Sequence, residues 1–505
     1  MGAGPMTPLS ADGSWRLTPD HAARTQGLLV SPFAHLPEGR ALFLGLPDGC
    51  GGAWLSALRA ACPVTDATGK ATPAAALAFT WAGLQAMRLE EAALATFATP
   101  FQEGMHQSDR QRRLSDTPDS GTVVEGGPRW GGNVPDHFSD PLVPLQPPPT
   151  TVHAALLLYG EDRGSVEAWA AQALSVLQGA GVAVVHHVDL ALRFDAAGRA
   201  REHFGFADGL SQPVPQGAGI VSRDGTPLPP DRLHGIAAGD ILMGHTNAHG
   251  EPAAGPIIAA SLPGTACLPS EGAPHGFRNL GLDGSYLVIR ELHQDVAAFW
   301  NGMHAAMDGD PELLASRVVG RTMDGDVLVP GGTLPPNGPE PRNDFTYFAI
   351  DPHGMGCPIG SHVRRANPRD SLASKAGNTA FLLAAAQSHR ILRRGRKFGP
   401  DIADRRTDDK AERGLLFMAL NTDLVRQFEF VQQTWMLNTN FGTLLDETDP
   451  LLGPQGRYTI PAEPLRLRPT IPTFIRFAGG EYFFLPSLPA LDYLQTLPAI
   501  FPAPP

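Results

Sequence analysis

Apolar positions along this chain fall into two rhythms, short continuous runs and helical repeats, and the two alternate. The runs "ALFLGL" (41–46), "ALAFTW" (76–81), "HAALLLY" (153–159) and "VAVVHHV" (182–188) are bounded by Gly and Pro and predict buried strands. Between the last two, Val166, Trp169, Ala170, Ala173, Leu174 and Leu177 recur at helical spacing until Gly179 and Gly181 end the run, which gives strand, helix, strand. The pattern returns downstream. "GSYLVIR" (284–290) leads into Leu292, Val296, Phe299, Trp300 and Met303 on one helical face. "LLFMAL" (415–420) leads into Leu424, Phe428, Val431 and Trp435 on another, with Asn421 or Thr422 as N-cap. "FIRFAGGEYFFL" (474–485) predicts a hairpin, with Gly479 and Gly480 supplying the positive φ of a tight turn. Residues 103–150, 327–345 and 396–413 predict loops or insertions. The sum is two α+β halves, each mixing strands with two amphipathic helices.

Composition narrows the partners. A chain of 505 residues that is 42% hydrophobic buries a large core, and its length suggests two or three domains. Its 39 basic and 51 acidic residues leave a net charge of -12, which disfavours nucleic acid and anionic membrane surfaces and points to small-molecule partners. Cys50, Cys62, Cys267 and Cys357 show neither zinc-type nor CxxC spacing, so no disulfide framework or covalent haem attachment is expected and a reducing compartment fits. "MGAGPMTPLSADGSW" lacks a basic start followed by an apolar run, and no apolar stretch nears the roughly 18 residues of a membrane span. The expected location is cytoplasmic.

Three segments carry candidate chemistry. "REHFGFADGLSQP" (201–213) sets Asp208 among glycines and aromatics, where an Asp is most often a turn former bonded to its own backbone. "CPIGSHVRRANPRDS" (357–371) places His362 on a short helix, with Pro358 at N1 and Asn367-Pro368 at its end; Arg364, Arg365 and Arg369 read by default as a solvated basic face. "HRILRRGRKFGP" (389–400) likewise reads as basic surface.

Together and in this order the three segments resemble the dye-decolorizing peroxidase family. "FGFADGLSQP" is similar to its GxxDG segment, "CPIGSHVRRANPRDS" to its haem-ligand segment, and "RILRRGRKFGP" to its distal arginine segment. The likeness extends through "TQGLLVSPFAHLPEGRALFLGL", "LAFTWAGLQAM", "GSYLVIRELHQDVAAFW", "RGLLFMALNTDLVRQFEFVQQTW" and "YFFLPSLPAL". It implies an α+β fold of two ferredoxin-like domains, placed here at 1–215 and 216–505, with one haem b per chain held mainly by the C-terminal domain. It further implies that His362 is the proximal iron ligand, Asp208 the distal acid-base residue and Arg393 its partner. Arg393 is preferred to Arg390 and Arg394 because it falls two residues before Gly395. Leu415 and Phe417 match the roof of the distal pocket.

General chemistry gives each implied role a reason. A carboxylate can carry a proton between peroxide oxygens, and a guanidinium stabilises the charge that develops on the leaving one. Gly205 and Gly209 let the backbone turn tightly and approach a flat macrocycle, while Phe206 and Phe204 pack on that macrocycle or in the core. Asp423, then Glu429, is the expected carboxylate on the second nitrogen of His362, with helix capping as the alternative for Asp423. The implied reaction consumes hydrogen peroxide and oxidises small organic donors, and an Asp acid-base group favours acidic pH. A surface Trp or Tyr could relay electrons; Trp435 is a candidate, although its helical spacing favours core packing. Two rival readings stay open, a haem-handling or iron-release protein, and a haem-free hydrolase or metal enzyme built on Asp208, His362 and Cys357.

Overall fold

The computed structural model describes residues 15–133, 149–307, 309–337 and 341–499. The chain's first 14 residues, the middle of the 103–150 stretch and the final "FPAPP" lie outside them. Eight principal strands, β1 (Glu38–Gly45), β2 (Ala74–Phe79), β3 (Ala154–Gly160), β4 (Ala183–Ala191), β5 (Ser285–Gln294), β6 (Arg396–Phe398), β7 (Gly414–Asn421) and β8 (Ile475–Leu485), pair antiparallel in the order β5-β7-β6-β4-β1-β3-β2-β8. β8 then pairs along its length with β5, from Leu485 opposite Ser285 to Ile475 opposite Gln294, so the sheet closes on itself.

The order divides into two like units. β4-β1-β3-β2 with helices α1 (Ala53–Ala61) and α2 (Arg163–Gly179) is a βαββαβ unit in the ferredoxin-like arrangement, and β6-β7-β5-β8 repeats it with α3 (Val296–Ala306). The seams are thin: two residue pairs join β6 to β4, and Phe484 opposite Phe79 joins β8 to β2. The connecting stretch 192–284, where the expected boundary at 215 falls, adds no strand to the closed sheet.

Strand alternation then builds two cores. Ala41, Phe43, Leu157, Leu287, Ile289, Leu416, Met418 and Phe483 point inward and fill the interior of the closed sheet. Leu42, Leu44, Leu156, Leu158, Val288, Ala419 and Phe484 point outward beneath the helices. Arg394 and Arg396, expected at the surface, are buried in the interior because their guanidinium groups donate to the carbonyls of Leu28, Leu29, Leu36, Pro32 and Phe33.

Four expectations about elements change. β8 is one strand where a hairpin was expected. Neither Gly479 nor Gly480 takes positive φ, and Gly479 is small because a Cβ there would stand 2.5 Å from the Trp130 ring inside the sheet. Leu292 ends a longer β5 instead of starting a helix, because the strand runs on to Gln294 and Asp295 caps α3. The segment after β7 winds as π-helix over Val425–Glu429 and Val431–Met436, with Asp423 Oδ1 taking the Arg426 N–H in place of a cap from Asn421 or Thr422. The irregular stretches also hold structure: a helix at Ser108–Leu114 and β6 itself lie within them.

Candidate active site

A cavity of about 400 Å³ opens on the outer face of the second unit, within the size range of small-molecule sites. Its floor is sheet: Leu292 on β5, Leu415 and Phe417 on β7, Ile475 and Phe477 on β8, all on the face that alternation turns outward. Phe428, Val431 and Met436 of the π-helical segment line it as well, and its rim carries the loops expected to hold the chemistry.

His362 opens a short helix, α4 (His362–Ala366), with Ser361 at the N-cap position, so the helix begins four residues after Pro358 and spans little more than a turn. Its Nδ1 donates to the carboxylate of Asp449 at 3.1 Å, and Nε2 has no hydrogen-bond partner among the described residues. About a quarter of the side chain faces the cavity. Burial lowers the imidazole pKa, but the Asp449 charge and hydrogen bond outweigh it and the net shift is upward. Asp449 is fully buried and also accepts the N–H groups of Leu451 (2.9 Å) and Leu452 (2.8 Å). Burial would raise its pKa; the imidazole and these donors hold it low.

Asp449 therefore replaces both carboxylates expected behind His362. Asp423 is occupied as a cap, and Glu429 is held by Arg110 Nε at 2.6 Å and the Tyr482 hydroxyl at 2.8 Å. Asp449 lies 87 positions from His362, so no local motif could have flagged it. The bridge between them is Arg365, fully buried, which donates to the carbonyls of Gly360, Trp435, Met436, Asn438 and Glu447. Arg364 is equally buried and bonds the carbonyls of Cys357 and Asp351. The expected basic face is thus an internal brace, because these guanidinium groups saturate loop carbonyls that no helix or strand satisfies. Cys357 is buried against Ser361 and Gly320 and does not line the cavity, so the hydrolase constellation with Asp208 and His362 does not assemble.

Asp208 and Arg393 both line the cavity, Arg393 Nη2 standing 4.0 Å from Asp208 Oδ1. Gly205 and Gly209 adopt φ of +102° and +79°, which turns the loop tightly enough for Asp208 Oδ1 to accept the Gly209 N–H at 2.6 Å. The turn-former role is real, and Oδ2 stays uncommitted. Glu202, which sequence reasoning passed over, fixes this loop: its carboxylate accepts the N–H groups of Phe204 and Phe206 and the Gln294 side chain, each at 2.8 Å. Burial, reinforced by the nearby Asp208 charge, pushes Glu202 up. Phe204 stacks on Phe299 at 4.3 Å and Phe206 meets the same ring edge-on, so both belong to a core cluster while still reaching the cavity wall. Trp435 is buried against His389 and Phe430.

One end of the cavity is cationic. Arg321, Arg369 and Arg390 line it beside Arg393, and among the described residues the first three pair with carbonyl, amide or hydroxyl oxygens and with no carboxylate. Burial, then repulsion from Arg369 and Arg393, depresses Arg390 to about 9. Arg369 falls to about 10, mainly through burial. Such a cluster calls for an anion. An apolar slot with an uncommitted imidazole nitrogen on its wall and unneutralised guanidinium groups at one end suits a flat, largely apolar, metal-bearing ligand with acidic substituents.

Fold and cavity together define a class: paired ferredoxin-like units closed into one sheet, with a cofactor-sized slot on the second. Solved structures share that fold. A DyP-type peroxidase of Anabaena superposes with a TM-score of 0.70 at 23% identity, covering 95% of each chain, and DyP2 of Amycolatopsis with 0.67 at 24%, covering 97% of this chain and all of that one. No family model matches the chain. Among curated proteins, a dye-decolorizing peroxidase of Exidia glandulosa is 31% identical over 369 residues, 67% of this chain and 64% of its own. The multifunctional dye peroxidase DyP2 of Amycolatopsis is 30% identical over 371 residues, 68% of this chain and 71% of its own. The chain spans just under two thirds of the length of the Exidia protein and of a Mycena epipterygia dye-decolorizing peroxidase, of which it covers 66%. The chain belongs to the dye-decolorizing peroxidase family. Among the described residues no helix is long and apolar enough to cross a membrane.

Proposed function

We propose that this protein is a haem peroxidase that binds one haem b per chain in the cavity, reduces hydrogen peroxide and oxidises small organic donors such as dyes and phenolics in one-electron steps. The observation that carries this reading is an imidazole with an uncommitted Nε2 in the same cavity as the facing Asp208 and Arg393. When bound, the haem supplies an iron site for peroxide and the oxidising equivalents passed to donors. His362 would hold the iron through its uncommitted Nε2, and Asp449 on Nδ1 fixes the tautomer and makes the imidazole a stronger donor. Arg321, Arg369 and Arg390 would hold its acidic substituents at the cationic end of the cavity.

Asp208 moves the proton. Its Oδ1 is kept in place by the Gly209 N–H, leaving Oδ2 to take a proton from hydrogen peroxide and return it to the departing oxygen. Arg393 stabilises negative charge on that oxygen without having to move. Leu415 and Phe417 keep the wall beside this pair apolar, which limits bulk water around the proton transfer. The test is stopped-flow mixing of the haem-loaded protein with peroxide. Asp208→Asn is expected to slow the first spectral change by roughly 10²–10⁴-fold with haem content intact. His362→Ala is expected to lose tightly held haem. Unchanged peroxide kinetics in Asp208→Asn would take the proton-carrying role from that residue, and no peroxide-induced spectral change in wild type would leave a haem-handling protein as the better description.

A further inference from the structure

Away from the cavity, His21, His245 and Asp283 converge from three distant segments. His21 lies in the helical turn Pro19–Ala22, His245 in the loop after the turn at Ala238–Asp240, and Asp283 just before β5. The nitrogens His21 Nδ1 and His245 Nε2 each stand 2.8 Å from Asp283 Oδ1, and one donor atom from each residue lies within 4.8 Å of the others. Asp283 is 1% exposed at its side chain and His245 8%, while His21 at 20% keeps one side open to solvent.

The backbone is arranged around this meeting point. Asp283 sits at φ +60°, in the left-handed region that a non-glycine residue adopts rarely, and this places its carboxylate between the rings. The two imidazoles lie 4.8 Å apart, and Gly219, at φ +81°, passes so close that a Cβ would stand 2.9 Å from His21 Cδ2 and 3.5 Å from His245 Cε1. A side chain at 219 would press on the His21 ring, while His245 would be left in ordinary contact.

We propose that His21, His245 and Asp283 form a binding site for a borderline divalent cation of the Zn²⁺ class. Two imidazoles and one carboxylate suit such ions, and hard cations such as Mg²⁺ or Ca²⁺ prefer all-oxygen sites. Metal–donor distances of about 2.0–2.2 Å put tetrahedral donors roughly 3.3–3.6 Å apart, so each imidazole nitrogen has to move away from Asp283 Oδ1 while the two nitrogens, within 4.8 Å of one another, close in. Water takes the fourth position on the open side of His21. Arg24 is the competing occupant: its Nη2 stands 2.8 Å from Asp283 Oδ2 and 3.0 Å from His21 Nδ1. It is 29% exposed and its Nε has no hydrogen-bond partner, so it can swing outward when the metal enters. The site would tie the N-terminal turn to the start of β5, the strand that carries Leu292 and Gln294 to the cavity.

The test is calorimetric titration of Zn²⁺ into the haem-loaded protein, in which His362 is already engaged. One equivalent is expected to bind in wild type, and Arg24→Ala is expected to bind it more tightly. His245→Ala and Asp283→Asn are each expected to weaken binding by roughly 100-fold, with haem absorbance and circular dichroism unchanged. No saturable uptake up to about 1 mM by either wild type or Arg24→Ala would overturn the proposal. So would stoichiometric binding that survives in the double variant His21→Ala, His245→Ala.

Discussion

Replacing Asp449 by Asn probes the contact that distinguishes His362 from an ordinary buried histidine. The substitution keeps volume and leaves an oxygen for the Leu451 and Leu452 N–H groups, but it removes the charge and turns an N–H donor toward Nδ1. A hydrogen bond to a charged group contributes about 1.5–3 kcal/mol, and here the carboxylate is fully buried while only the cavity side of the imidazole is open, so screening at the Asp449 end is slight. The imidazole loses that much electron donation at most. If the iron senses all of it, the ferric form loses stability relative to the ferrous form and the midpoint potential rises by roughly 60–130 mV, at 59 mV per tenfold change for one electron. Spectroelectrochemical titration of the haem-loaded protein reads this directly. Asp423→Asn serves as the comparison, because that residue caps the π-helical segment and should leave the potential unmoved. A shift below about 20 mV in Asp449→Asn with haem fully retained would refute the claim that this carboxylate tunes the imidazole.

Other outcomes follow from the same structure. His203 and His106 are buried neutral, each pushed down to about 4 from 6.5 by burial. The unfolded chain therefore binds more protons below 6.5, and stability falls as pH drops from 6.5 toward 4, by about 3 kcal/mol per histidine at pH 4. Urea unfolding across that range should show an acid limb that flattens in His203→Gln; a limb that persists unchanged would assign it to other groups. Gly479→Ala places a methyl 2.5 Å from the Trp130 ring inside a filled sheet interior and should destabilise by roughly 1–3 kcal/mol in the same assay. A neutral result would mean that the ring has room to move.

Several parts of the molecule were legible one segment at a time. The four strands of the first unit, the helix between β3 and β4, and the glycines around Asp208 follow from patterns confined to a few neighbouring residues, where spacing and backbone freedom act directly. The resemblance carried by the three motifs implied that His362, Asp208 and Arg393 share a pocket, and all three line the cavity. Local reading failed where a neighbour from far along the chain set the environment. Gly479-Gly480 looked like a turn because sequence cannot show that Trp130 presses on the strand, and the arginines of 364–369 and 394–396 looked like surface because their carbonyl partners are distant.

What the sequence determined by itself, then, is the strands of the first unit and the helix between β3 and β4, since these depend on periodicity, while the suitability of its residues for haem and peroxide chemistry came from the resemblance of three motifs to the family. Only the tertiary structure decided that Asp449 backs His362, that Glu202 fixes the Asp208 loop, and that His21, His245 and Asp283 meet at all. Each of those includes a hydrogen bond or ion pair between residues dozens to hundreds of positions apart, which no spacing along the chain reveals.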